Sequence, residues 1–281
     1  MRVARTRAEL EDELAGLRAD RRPLALVPTM GYLHEGHLSL VDRAAALAPG
    51  VVATIFVNPL QFGPNEDLAS YPRDERRDLD LLRARGAALT FVPSLDEMYP
   101  DGSPRVTVRP GPMGARLCGA HRPGHFEGVL TVVAKLFGLV RPEVAVFGRK
   151  DFQQAVLIRR MVRDLELRVR VETAPIAREA DGLAMSSRNT YLGPAERAQA
   201  VGLFRALEAA RVCFRAGARD AADVLRAARE ALARHPLVRL QYLEAVDPAT
   251  LEPVDALEPG TVVAIAAYCG ATRLIDNVEL G

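Results

Sequence analysis

His34 and His37 stand three residues apart in LALVPTMGYLHEGHLSLV, where an apolar run ends at Val27 and a helix is expected to begin. A helix start leaves backbone N–H groups unpaired and carries a partial positive charge, which suits phosphate. Imidazoles on one side of such a helix add donors, and Gly31 and Gly36 let the backbone come close to a nucleotide. From these residues alone a phosphate site and an incidental pair of histidines both stay open. Zinc fits worse, because the HExxH spacing is absent. Gln61, in the long irregular segment FVNPLQFGPNEDLASYPR, has an amide able both to donate and to accept. It could read a hydroxyl-bearing acid and an amine, or simply meet water. Lys150, in VAVFGRKDFQQAVLIRRM, sets a compact positive charge at a second strand–turn–helix junction, behind Gly148. Only Lys135 and Lys150 are lysines, the other basic residues being arginines, so a point charge at 150 is either selected or a chance survivor.

Taken in order, PTMGYLHEGH, FVNPLQFGPNEDLASYPR, RPGHFEGV, FGRKDFQQ and DGLAMSSRN resemble the pantothenate synthetase family. HEGH alone matches only the broader HxGH nucleotidyltransferases, which include class I aminoacyl-tRNA synthetases. The resemblance runs from about residue 24 to 192 and continues weakly to LIDN near the C-terminus. It implies an AMP-forming ligase of pantothenate biosynthesis, on the coenzyme A pathway, with ATP, pantoate and β-alanine as substrates. Pantoate would attack the α-phosphorus of ATP to give pantoyl adenylate and pyrophosphate, and the β-alanine amine would then release pantothenate and AMP.

The resemblance also carries residue roles. Met30, Gly31, Tyr32, Leu33, His34, Glu35, Gly36 and His37 would bind ATP, together with Gly148, Arg149, Lys150 and Asp151. Ala177, Met185, Ser186, Ser187 and Arg188 would complete that set, the SSRN stretch looking like a counterpart of the synthetase KMSKS loop. Two hydroxyls and a guanidinium there can clamp a leaving pyrophosphate. His37 would donate to phosphate oxygens, with His34, Lys150 and Arg188 sharing the charge. Gln61 and Gln154 would bind pantoate, Gln61 also serving β-alanine, while Phe56 packs on the geminal methyls and Asn58 and Tyr71 lie nearby. Mg2+ would travel with the triphosphate; Asp74, Asp78 and Asp80 follow Arg73, but no protein ligand of the metal can be assigned. A homodimer is implied as well. Two positions depart from the family pattern: Arg149 where Glu is common, its side chain expected to point away, and Ala177 where Val is usual. Asp151 and Gln154 also fit a capping box, on which reading Gln154 serves the helix and not the substrate.

These residues need a frame. Short apolar runs at 24–27, 51–57, 89–92, 144–147 and 167–171 read as buried strands, and 37–47, 74–85, 129–140 and 152–165 carry helical spacing. In the last, Val156, Arg160 and Arg163 are expected opposite Leu157, Ile158, Met161 and Leu165. Alternating β and α elements predict an α/β fold with a Rossmann-like parallel sheet, helices on both faces and ligands at the strand carboxyl ends. Beyond Pro175 the pattern changes to helices at 195–216 and 221–234 and strands at 238–246, 261–267 and 273–278. This predicts a first domain over 1–176 and a smaller α+β domain over 177–281; the resemblance implies ATP and pantoate binding in the first and a lid role for the second, hinged at 176–178.

The 281 residues carry 37 basic and 36 acidic side chains, so no net field draws the chain to nucleic acid or membrane. No anticodon-binding domain or basic stripe suggests a tRNA ligase. Cys118, Cys213 and Cys269 form no metal or disulfide spacing, no apolar run approaches about 20 residues, and no signal peptide opens the chain, so a cytoplasmic enzyme is expected. A nucleotidyltransferase lacking an acid pocket and a non-catalytic nucleotide-binding module are the competing readings.

Overall fold

In the computed structural model, which describes residues 1–19 and 23–281, six parallel strands form the larger sheet. They are β1 (Arg2–Ala4), β2 (Leu24–Thr29), β3 (Gly50–Ile55), β4 (Leu89–Phe91), β5 (Val144–Gly148) and β6 (Arg170–Ala174), in the order β1-β4-β3-β2-β5-β6. Parallel neighbours need crossovers. Along this stretch the chain forms α1 (Arg7–Ala19), α2 (Glu35–Leu47), α3 (Glu75–Ala84), α4 (Leu95–Met98), α5 (Cys118–His121), α6 (His125–Val140) and α7 (Phe152–Asp164). Successive strand side chains point to opposite faces. Ala25, Val27, Ala53 and Val146 share a core with Leu38, Val41 and Ala44 of α2, whereas Leu24, Leu26, Val52 and Ala145, of opposite parity, are equally buried. Both faces are therefore covered. The strand order reverses between β2 and β5, where open parallel sheets bind ligands. Ala25 pairs with Val144, which brings the β2 end at Thr29 beside Gly148.

Several boundaries differ from the sequence expectation for identifiable reasons. The strand expected at 167–171 starts at Arg170, because Glu166 turns left-handed (φ 49°) and the Leu167 N–H returns to the Val162 carbonyl at 2.9 Å. That Schellman-like closure of α7 consumes the residues assigned to the strand. β1 has three residues, too few to show alternation, and pairing with β4 defines it. In α7 Val156 is buried, and just past its end Leu165 is 52% exposed, the reverse of the expected sides. Residues 155–158 are all buried, so a one-sided pattern describes only the far end of this helix.

The chain divides into two compact units. One comprises Met1–Gly114, Arg122–Arg149 and Leu157–Pro175; the other comprises Ala115–His121, Lys150–Val156 and Ile176–Gly281. The second is built on an antiparallel sheet, β7 (Val238–Val246), β8 (Val262–Cys269) and β9 (Thr272–Glu279), in that order. Its helices are α8 (Pro194–Ala200), α9 (Gly202–Arg215) and α10 (Ala221–Leu232). Leu203, Ala206, Leu207 and Ala210 form one face of α9 and bury Val263, Ile265 and Ala267 of β8. The single helix expected at 195–216 breaks at Val201. There Gly202 passes so close to His235 that a Cβ would lie 2.7 Å from its ring.

Candidate active site

The turn after β2 is strained and braced. Gly31 (φ 82°) and Tyr32 (φ 49°) are both left-handed, a conformation that costs a bulky residue energy. Asp78 of α3, only 1% exposed, holds them: its carboxylate accepts from the Tyr32 N–H at 2.6 Å and the Leu33 N–H at 2.7 Å. A Cβ on Gly31 would press on that carboxylate at 2.9 Å. Burial pushes the Asp78 carboxyl above its usual range, while the two N–H donors pull it back. The other two carboxylates of the group considered for Mg2+ are also engaged. Asp74 caps α3 through the Arg77 N–H, and Asp80 pairs with Arg83. Among the described residues, no three His, Cys, Asp or Glu side chains come together to hold a metal.

The two histidines do not share a helix face. His34 precedes α2 on extended backbone (φ −134°, ψ 173°), and its Nδ1 accepts the Gly36 N–H at 3.1 Å. His37, the third helical residue, accepts the His34 N–H at its own Nδ1, at 3.4 Å. This is a reciprocal capping box made of imidazoles. Accepting at Nδ1 places each neutral ring's proton on Nε2, so each presents an Nε2–H donor. The rings lie 4.1 Å apart, tilted by 35°.

Gln61 ends a 3-10 turn, Pro59–Gln61, whose cap is Asn58. Asn58 is buried and fully engaged. Its Oδ1 accepts from the Leu60 N–H and the Tyr99 hydroxyl, and its amide donates to the Gly128 carbonyl and to Gln61 Oε1, both at 3.2 Å. The Gln61 amide nitrogen in turn points to Met30 Sδ at 2.9 Å. Asn58, expected near the substrate, holds the Gln61 side chain. Phe56 is buried against Tyr99, and Tyr71 meets Phe62 edge-on.

Sequence reading missed how Gln61 is backed. Arg122 and His125, in the RPGHFEGV motif, both reach its main-chain carbonyl, at 3.3 and 2.7 Å. The motif was visible, but its target was not.

A cavity of about 450 Å³ in the first unit is lined in part by Met30, Gly31 and Phe56, but also by Asp74, Glu75 and Asp78 and not by His34, His37 or Gln61.

The second unit gathers the remaining residues. Lys150 is half-buried, and the desolvation of its ammonium pushes it below the ordinary lysine range; Asp151 and Asp276 oppose that shift and Arg188 adds to it. Asp276, buried on β9, is gripped by both Arg178 nitrogens at 2.7 and 3.0 Å, and the neighbouring Asn277 amide donates to the Lys150 carbonyl at 3.0 Å. LIDN is thereby the support of Lys150, a role its residue types alone did not reveal. The 3-10 turn Arg149–Asp151 runs straight into α7, so Asp151 lies inside a helical turn and not at the extended cap position. The capping-box reading of Gln154 fails on that ground. It is Gln153 that is structural, accepting from the Cys118 N–H at 3.0 Å and donating to the Arg116 carbonyl at 2.7 Å. Arg149, in the first unit, is half-buried, and its charge works against that of Arg159.

The SSRN loop is tied down from within. Ala177 accepts from the Met185 N–H, Asn189 donates to Glu179, and Arg197 bridges Glu179 and Asp181. Ser186 caps the 3-10 turn Ser187–Tyr191 by accepting the Arg188 N–H, and Ser187 is buried.

A model of the pantoate–β-alanine ligase family matches residues 2–279. A pantothenate synthetase of a Nocardioides species is 54% identical over 99% of this chain and 85% of its own length. The crystal structure of pantothenate synthetase from Thermus thermophilus superposes with a TM-score of 0.93 at 51% identity, covering 99% of both chains. That of a pantoate–β-alanine ligase from Francisella tularensis, complexed with beta-gamma ATP and β-alanine, superposes with a TM-score of 0.80 at 30% identity, covering 99% of this chain and 97% of its own.

Proposed function

The chain belongs to the pantoate–β-alanine ligase family, and on that premise we propose that it joins pantoate to β-alanine through a pantoyl adenylate, consuming ATP and releasing AMP and pyrophosphate. The observation that carries the chemistry is the imidazole capping box. It fixes two neutral rings with Nε2–H donors at the N-terminus of α2, at the strand-order reversal where a nucleotide is expected. When the pantoate carboxylate attacks the α-phosphorus, negative charge grows on the phosphate oxygens, and preorganised donors stabilise it without reorganising. His37 supplies such a donor and His34 a second. Lys150 and Arg188 neutralise the departing pyrophosphate, with Ser186 and Ser187 on the same loop as Arg188.

The Gln61 amide, positioned by Asn58, orients the pantoate and then the incoming amine. Gln154, half-buried and freed from a capping role, donates to the acid. The remaining backbone contacts to ATP fall to residues 30–37, 148–151, 177 and 185. The Francisella complex with ATP and β-alanine supports both co-substrates. Magnesium enters with the nucleotide and neutralises charge on its phosphates; no side chain of this chain is assigned to it. We further assign a homodimer, a cytoplasmic setting and a lid role to 177–281, each resting on family membership. Light scattering and ATP-dependent hydrogen exchange over 181–189 test the first and last.

The deciding experiment supplies ATP, pantoate and β-alanine and looks for AMP, pyrophosphate and pantothenate. Pantoate without amine should support pyrophosphate–ATP isotope exchange. An absolute requirement for β-alanine in that exchange would overturn the two-step route. A dinucleotide product would favour the nucleotidyltransferase reading.

A further inference from the structure

We propose that Arg122 and His125 are positioning residues for Gln61, holding the main chain of its turn so that the side-chain amide meets acid and amine in one fixed pose. The proposal rests on the ligase reading of Gln61 given above.

His125 opens α6 and contacts the Gln61 carbonyl through Nδ1 at 2.7 Å. Its other nitrogen, Nε2, lies 2.9 Å from Arg122 Nη1. A guanidinium can only donate, so Nε2 accepts and the ring proton sits on Nδ1, aimed at Gln61. This is the tautomer opposite to that of His34 and His37. Arg122 is itself fixed: Nε and Nη2 grip the two oxygens of Glu66 at 2.6 and 2.5 Å, and Nη2 also reaches the Gln61 carbonyl. Burial would raise the Glu66 carboxyl, but the Arg122 bonds and charge hold it below its usual value, so the pair stays ionised. The result is a relay of fixed polarity, carboxylate to guanidinium to imidazole to carbonyl.

Gly128, one turn into α6, completes the grip. A Cβ there would collide with the Leu60 carbonyl and lie 2.7 Å from the Gln61 nitrogen, so only glycine lets the helix approach the turn. The Gly128 carbonyl meanwhile holds Asn58, which holds Gln61 Oε1. A three-residue turn is already closed by its Asn58 cap and the Phe62 N–H to Pro59 carbonyl bond. Spending a partly buried ion pair and a tautomer-fixed histidine on one more carbonyl is explained by the need to place the amide that carbonyl belongs with. Misplacing a substrate-orienting group by roughly 1 Å can cost about 10²-fold in rate.

The test compares three substitutions. Asparagine at 125 puts an amide nitrogen near the Nδ1 position and can still donate to Gln61. Glutamine puts its oxygen near Nε2, satisfying Arg122 but not Gln61. Alanine does neither. Michaelis constants for all three substrates, kcat and melting temperature are measured for each, with Gln61→Ala as control. His125→Ala and His125→Gln are expected to lose about 10²-fold in kcat/KM for pantoate and β-alanine, with the ATP constant unchanged and His125→Asn recovering most of the loss. Arg122→Lys, which keeps the charge beside Glu66 but cannot serve Glu66, His125 and Gln61 together, should reproduce the same selective loss in a fold that tolerates it.

If Gln61→Ala is damaging while His125→Ala and Arg122→Lys keep normal constants, the positioning role falls and the ligase reading stands. If Gln61→Ala is itself silent, the substrate role of Gln61 and the positioning role both fall, while the ligase activity stands. Loss of stability with normal kinetics in the folded fraction, or asparagine no better than alanine, also overturns the proposal.

Discussion

Two strand–turn–helix junctions in this chain present donors by opposite means. After β2, the turn stores backbone strain at Gly31 and Tyr32, spends a buried carboxylate on bracing it, and offers neutral imidazoles whose tautomers the helix cap dictates. After β5, the chain runs through a 3-10 turn whose Lys150 carbonyl is held by the Asn277 amide, and it offers a full charge, the half-buried Lys150, offset by Asp276 and Asp151. The first gains precision of direction, because an Nε2–H is fixed by the cap at its opposite nitrogen. The second gains field strength, because an ammonium partly removed from water acts through a lower dielectric. Developing charge on a central phosphate calls for directed donors, and a multiply charged leaving group calls for a cation.

The largest effects should come from removing either device. His37→Ala is expected to lose about 10²–10⁴ in rate. Because His37 also closes the cap, it should cost about 1 kcal/mol of stability, where a bare helix position would cost little. His37→Asn separates the two: its oxygen can take the His34 N–H, so the melting temperature should recover while the rate does not. Near-normal turnover in the asparagine variant would make the ring a cap and nothing more. Lys150→Met should lose about 10²–10³ in kcat, as removal of a preorganised donor does elsewhere, yet unfold no sooner than the parent, since it relieves a partly desolvated charge. Thermal melts alongside initial rates check both halves of that statement.

A smaller contrast lies within α7. Gln154→Glu should weaken pantoate binding by about 10- to 150-fold, the value of one hydrogen bond to a charged group, with the melting temperature unmoved because no capping box exists to strengthen. Gln153→Ala should do the reverse, costing about 1–3 kcal/mol by stranding the Cys118 N–H and sparing the pantoate constant. Equal effects in both variants would erase the distinction between neighbouring glutamines.

The smallest effect is a shift in pH. Lys150 must be protonated to act, and burial lowers its ammonium, so activity should fall as pH rises through a value below the ordinary 10.5. Between that folded value and the unfolded one the unfolded chain binds the extra proton, so stability rises with pH across the same window. Asp276→Asn removes one of the charges that favour protonation, and should move the alkaline limb of the rate profile to lower pH. A limb that stays in place would detach Asp276 from Lys150.

The sheet strands other than β1, the change of pattern near residue 175 and the motifs that hold the candidate residues were legible from sequence, because each depends on local signals: apolar period, turn chemistry and motif order. Family membership was legible for the same reason, five motifs in order along one chain. What could not be read was which groups serve the substrate and which serve the site. That Asp78 braces the Tyr32 turn, and that Asn58, expected near the substrate, caps the turn carrying Gln61, could not be read locally. Gln153, which drew no attention in the sequence, is the structural glutamine of α7, and LIDN and RPGHFEGV showed their presence but not their targets. Each of these depends on a partner distant along the chain: Asp78 on Tyr32, Asn58 on Gly128, Asp276 on Arg178, His125 on Gln61. Local sequence determines the backbone's own conformational preferences. Whether a buried polar atom is spent on the protein or left for a ligand is decided only when the fold brings its partner within about 3 Å, since hydrogen bonds act at no greater range.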